Sequence, residues 1–233
     1  MTEFFQQLVN GLSIGSIYAL IALGYTMVYG IIKLINFAHG DIYMLGAYVG
    51  FISIAQLHLG FFPALLLAMV VCGVLGVIIE RIAYKPLRNA TRIAALITAI
   101  GVSYLLQNIA LLVFGSNPKS FTSVVTIPAL KLAGGRLTIS GETLVTIVSC
   151  IVIMIVLTTF IKKTRAGQAM LAVSEDKGAA QLMGINVDGT IALTFAIGSA
   201  LAAIAGTLLC SAYPTLTPYT GSMPGIKAFV AAV

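Results

Sequence analysis

Charge is what this chain has least of. Asp, Glu, Lys and Arg make up 9% of its 233 residues while 59% are hydrophobic, whereas an ordinary soluble domain carries charge on about a quarter of its positions. A soluble globular fold is thereby excluded, and the long uncharged runs describe an all-α, polytopic transmembrane helical bundle with broken segments. Cysteine is scarce too. Cys72, Cys150 and Cys210 lie inside apolar runs with no metal-ligand spacing, which reads as packing and not as a disulfide framework. No G-x-x-x-x-G-K-[ST] pattern occurs, so the chain does not cradle ATP phosphates in the usual way and its energy must come through a partner. The two histidines, His39 and His58, stand apart from any set of nucleophile, base or metal ligands, which argues against an enzyme and against a metal or other cofactor. The runs long enough to span hold no Asp, Glu, Lys or Arg, which argues against a carrier coupled to an ion gradient.

What is present is ordered along the chain. The runs predict six spans, at about residues 5–32, 42–57, 63–79, 93–114, 143–161 and 191–212, in one domain over 1–233. A cleavable signal peptide is rejected, because the amino end carries Glu3 and no basic residue and its apolar run is too long. Thirteen Lys and Arg face seven Asp and Glu, and the basic residues cluster beside spans, a mark of membrane topology and not of nucleic-acid binding. Residues 81–92 and 162–188 are therefore expected in the cytoplasm. Residues 115–142 and the amino end then lie outside, with the β-branched stretch 122–127 expected in a small hairpin. Gly11 and Gly15 on the first span, and Gly198, Ala202 and Gly206 on the sixth, offer small-residue faces for close helix packing.

Three polar groups stand out against this background. Asn36, His39 and Asp41 form the densest polar cluster within reach of the membrane; they read either as lining for a transport path or as a cytoplasmic turn in which Asp41 caps the next helix. Gln107 and Asn108 sit inside the fourth span, bonded across helices or facing a water-filled path. Residues 213–225 are too broken by Pro and Gly to span as a helix, and fit beside a cavity or in an exposed loop. After them 226–233 begins an apolar run too short to cross, either a half-helix or the start of a segment that continues in a longer natural protein.

The stretch 162–188 carries the longest polar interruption able to fold by itself. Ser174 is placed to cap a short helix with Glu175 and Asp176 in its first turn. Ala179, Leu182 and Met183 follow at i, i+3, i+4, and Gly184 stands where a left-handed residue stops the helix. So short a helix needs something to dock on. That is either the membrane surface or a groove on a soluble partner.

Four motifs, in order, carry a resemblance that covers the chain: Leu34-Ile35-Asn36-Phe37-Ala38-His39-Gly40-Asp41; Glu80-Arg81 with Tyr84-Lys85-Pro86-Leu87-Arg88; Arg165-Ala166-Gly167 followed by Ser174-Glu175-Asp176, Ala179-Ala180 and Leu182-Met183-Gly184-Ile185; and Gly225-Ile226-Lys227-Ala228-Phe229. The sequence resembles the permease subunits of bacterial branched-chain amino acid ABC importers, closest to the high-affinity type. The resemblance implies a multi-pass protein of the inner membrane, surrounded by lipid and working with cytoplasmic ATP-binding subunits, a second homologous permease and a periplasmic binding protein that delivers Leu, Ile or Val. It implies that 162–189 is the cytoplasmic coupling loop, with Arg165, Ser174, Glu175, Asp176, Ala179, Ala180, Leu182, Met183 and Gly184 at the contact with the ATPase. It also implies further chain beyond Val233. Gly178 stands where the coupling signature usually has Glu.

Overall fold

Uncharged stretches rich in Leu, Ile, Val and Ala satisfy their backbone polar groups within themselves as helices. A computed structural model of the chain describes residues 2–34, 36–88, 90–120, 130–132, 137–212 and 214–232. In chain order the helices are α1 (Thr2–Ile32), α2 (His39–Ala55), α3 (Phe61–Ile79), α4 (Arg92–Phe114), α5 (Gly141–Lys163), α6 (Arg165–Glu175), α7 (Lys177–Leu182), α8 (Val187–Ala212) and α9 (Ser222–Ala232). Helix α3 runs on through a π turn, Glu80–Tyr84, and a 3-10 turn, Lys85–Leu87. Five helices, α1, α3, α4, α5 and α8, are long and apolar enough to cross a membrane. With 17 residues, α2 falls short of them.

Small residues set the packing. Helix α8 is the hub, and α2 lies against it so closely that a Cβ on Gly46 would run into Ala203 and one on Gly206 into the backbone of Tyr43. Gly46 meets Ala203 and Gly50 meets Thr207, so α2 and α8 run parallel. Gly76 abuts Phe195 and Ser199, while Tyr84 packs on Phe195 and Lys85 pairs with Asp188, so α3 runs antiparallel to α8. The other expected small-residue face is unused, since Gly11 and Gly15 have open space around them.

Two of the helices begin inside the bundle. Gly24 of α1 touches both the His39 ring and Gly198 of α8. At about 1.5 Å per residue, Gly24 lies roughly 12 Å from the Ile32 end of α1, and Gly198 roughly 16 Å from the Val187 end of α8. Helix α2 therefore starts inside the bundle, roughly a quarter of the way along α1 and two-fifths of the way along α8 from those ends. Helix α9 starts at the same level, where Gly221 and Gly225 press on Gly40, and it runs the opposite way, bringing Phe229 to 5.5 Å from Phe37 and 6.1 Å from Tyr25 between ring centroids. The segment before α9 is held against protein. Its strand β4 (Thr215–Leu216) pairs antiparallel with β1 (Lys119–Ser120), and Leu216 is buried. A second ribbon joins β2 (Leu130–Leu132) and β3 (Leu137–Ile139); the stretch 122–127 expected in a hairpin lies outside the described residues.

Helix starts differ from the expected spans in ways that matter. Helix α2 takes in His39 and Asp41, which were expected before the span, and α8 takes in Asp188. An apolar window detects where side chains turn greasy, not where backbone hydrogen bonding begins. Asp41 thus belongs to a helix buried in the bundle.

Candidate functional site

Helix α1 ends with Lys33 in a left-handed conformation, φ 57°, its N–H bonded to the Tyr29 carbonyl. The chain then turns back into the bundle, and His39 N–H donates to the Asn36 carbonyl as α2 begins. Ala38 is the residue at the cap position and makes no side-chain bond there, so Asp41 does not cap the helix. Asn36, His39 and Asp41 are 2%, 1% and 2% exposed. A surface turn does not bury polar side chains to that extent. The Tyr84 phenol donates to Asn36 Oδ1 at 2.9 Å, the His39 ring lies 4.5 Å from that of Tyr25, and Gln107 Nε2 donates to Asp41 Oδ1 at 2.9 Å.

Helix α4 brings Gln107 to Asp41 because it runs parallel to α2. Two turns further on, Tyr48 and Phe114 stack with ring centroids 4.1 Å apart. Between these contacts and the start of α9 lies a cavity of about 380 Å³, lined by Asp41, Ser103, Gln107, Ser222 and the apolar flanks of Tyr25, Phe37, Ile100 and Ile226. Asn108 is not part of it. Successive residues on a helix point about 100° apart, and Asn108 is exposed on the outer side with its amide bonded to the Tyr104 carbonyl. Polarity alone could not separate these neighbours.

A charged network closes the other end of the α3–α8 pair. Glu80 is 1% exposed, and the Arg88 guanidinium bonds both its carboxylate and that of Asp188. Lys85 adds a 2.7 Å contact to Asp188. The π turn between them contains the wider backbone loop often found at functional sites. Neither this network nor Tyr84 was assigned a role from the residue pattern; the eight-residue spacing of Glu80 and Arg88 around Pro86 was the available signal.

The stretch 162–188 folds as two helices. Thr164 caps α6, its hydroxyl accepting from Gly167 N–H at 3.0 Å, and Asp176 caps α7, accepting from Gly178 and Ala179 N–H at 2.7 and 3.0 Å. The cap is Asp176 and not Ser174, which sits within α6 and donates to the Leu171 carbonyl at 2.6 Å; Glu175 closes α6. Ser and Asp cap with similar strength, so the pattern could not choose between them. Met170 and Val173 anchor α6 in the bundle and Ala180 anchors α7, while Ala179, Leu182 and Met183 are exposed, the last two at 90% and 82%. Gly184 stops α7 with φ 81°. Arg165, at the start of α6, is exposed. Lys177 lies close enough to Arg88 and Lys33 for their charges to add to burial in lowering its ammonium from the ordinary range. Lys33, Arg88 and Lys177, from three separate stretches, thus come together at one end of the bundle.

The model of a family described as the permease component of branched-chain amino acid transport systems matches residues 7–233. The chain belongs to this permease family. It is similar to the high-affinity branched-chain amino acid transport system permease protein LivH of Escherichia coli K12, 46% identical over 240 residues covering 99% of this chain and 78% of that protein. LivH of Salmonella typhimurium is 45% identical over the same coverage, and BraD of Pseudomonas aeruginosa is 45% identical over 243 residues, 99% of this chain and 78% of BraD. No solved structure matches. The permease is a multi-pass protein of the bacterial inner membrane. Its family places it among transport subunits and not enzymes, and implies the usual companions of an ABC importer.

Proposed function

We propose that this permease carries Leu, Ile or Val through the membrane in an importer driven by separate ATP-binding subunits, with a second permease completing the path and a periplasmic protein delivering the amino acid. The observation that carries this reading is the meeting of two helix starts inside the bundle, beside a cavity that holds Asp41, Ser103 and Gln107, in a chain of this family. Helix breaks at membrane depth are tolerated where they line a cavity, and they recur at transport sites. On this reading Asn36, His39, Asp41 and Gln107 belong to the path or its gate. Asn108 faces the lipid or the second permease. The coupling contact is the exposed face of α7, Ala179, Leu182 and Met183, carried on α6 and set by the caps at Thr164 and Asp176.

The buried carboxylate of Asp41 favours a second reading, a carrier driven by an ion gradient. Uptake by the purified complex in sealed vesicles separates the two. The importer reading expects uptake that needs internal ATP and survives collapse of the ion gradients, and that falls when Asn36, His39 or Asp41 is replaced by Ala while the complex still assembles. Uptake without ATP that is lost with the gradients would establish the carrier instead.

A further inference from the structure

Asp41 combines three properties that are costly together. Its side chain is 2% exposed, it lies on a helix that starts inside the bundle, and it lines a cavity of about 380 Å³. Among the described residues the ion pairs formed are those of Glu80 and Asp188 with Arg88 and Lys85, and no cation of the chain pairs with Asp41. Gln107 supplies a neutral hydrogen bond to one carboxylate oxygen. A buried carboxylate with no countercharge is stabilised as the anion when a cation enters beside it.

We infer that Asp41 is the anchor for the α-ammonium group of the amino acid in transit. This rests on the importer reading above. The cavity volume lies within the range of small-molecule sites, about 300–1,000 Å³. Its walls sort by chemistry: Phe37, Ile100 and Ile226 give an apolar side suited to a branched aliphatic chain, and Ser222 opens α9 on another. The Ser222 hydroxyl and the α9 dipole complement the amino acid carboxylate, although Ser222 and Gly225 N–H already bond the Tyr219 and Gly221 carbonyls and Pro224 has no N–H. A free zwitterion therefore finds a negative group, a partial positive group and an apolar wall in one cavity. Gln107 is a positioning residue, since its amide fixes the Asp41 carboxylate from α4.

The test uses the whole importer in vesicles, with Asp41→Asn and Asp41→Glu in this chain. It reads leucine uptake, ATP hydrolysis stimulated by the binding protein, and displacement of radiolabelled leucine from the complex freed of its binding protein. Leucine should displace the label at least about tenfold better than 4-methylpentanoate, the same skeleton without the amine, because a hydrogen bond to a charged group is at stake. Asp41→Asn should abolish that preference and lower uptake about ten- to a hundredfold, with ATP hydrolysis retained. Asp41→Glu should keep part of both. Normal uptake by Asp41→Asn, or a wild-type complex that binds 4-methylpentanoate as tightly as leucine, overturns the inference; the second result decides even if Asp41→Asn does not assemble. A wild-type complex that imports leucine without ATP ends the importer reading, and the anchor assignment with it.

Discussion

The phenol of Tyr84 donates a 2.9 Å hydrogen bond to the side-chain oxygen of Asn36. Both groups are buried, so the bond ties the π turn after α3 to the interruption between α1 and α2. Tyr84→Phe should leave the Asn36 oxygen without that donor and cost about 1–3 kcal/mol of stability. A lower thermal midpoint of the detergent-solubilised protein checks this. An unchanged midpoint would mean that the two elements are held by packing alone.

Arg88 has a different kind of partner in each direction. Glu80 is buried, whereas Asp188 is about half exposed. Arg88→Met should be severe, on the order of 3–5 kcal/mol, because it abandons the Glu80 charge in the interior. Removing both charges, with Glu80→Leu added, should recover much of that loss. Lys85→Ala, which cuts an exposed contact, should cost at most about 1 kcal/mol. Equal losses for Arg88→Met and Lys85→Ala in thermal unfolding would refute this ranking.

The pairing of α2 with α8 depends on Gly46 as a place where there is no side chain. Gly46→Val should force the helices apart or prevent the fold, since the added atoms run into the Ala203 backbone. Gly11→Val meets open space and should fold normally. Size-exclusion profiles of the two solubilised variants give the comparison; a monodisperse Gly46→Val protein with wild-type stability would contradict the packing.

These cases show where residue patterns stop being informative. Uninterrupted apolar runs predicted the long helices, because length and composition decide whether a helix can span. The buried start of α2 was not readable in the same way. Asn36, His39 and Asp41 are individually ordinary turn residues, and only the contact of Gly24 with the His39 ring and with Gly198 sets their depth. Likewise Gln107 and Asn108 are equally polar, and only helix phase sends one to Asp41 and the other outward. The two-helix form of 162–188 was hidden because the apolar positions Met170 and Val173 were spaced three apart within a polar stretch, and Ser174 stands two residues before the actual cap, Asp176.

Helix α7 supplies a fourth prediction. Leu182→Asp should strip the ATP-binding subunits from the purified complex or uncouple hydrolysis from uptake, because a charge placed in an apolar contact is desolvated without a partner. Gln181→Lys should matter less. Co-purification and uptake measured side by side decide the matter; full activity in Leu182→Asp would mean that α7 rests on the membrane surface.

Orientation gives the fifth. With Lys162, Lys163, Arg165 and Lys177 at the end that carries α6 and α7, Ser120→Cys should react with an impermeant thiol reagent on intact cells and Lys163→Cys should not. The native Cys72, Cys150 and Cys210 are buried, so the background should be low. Reaction at position 163 alone would invert the topology.

The joints at Thr164 and Asp176 have a consequence for whatever engages α7. Each joint is a single extended residue with its side chain bonded to the helix that follows, and Thr164 also donates to the Phe160 carbonyl at 2.7 Å. The exposed Leu182 and Met183 are therefore presented on a surface that is ordered before contact. Fixing one free residue costs about 1–2 kcal/mol in conformational entropy. A partner that meets α7 is spared that toll over the whole of 164–184, so even a small apolar contact can hold, and because little order is gained on contact, little must be surrendered on release.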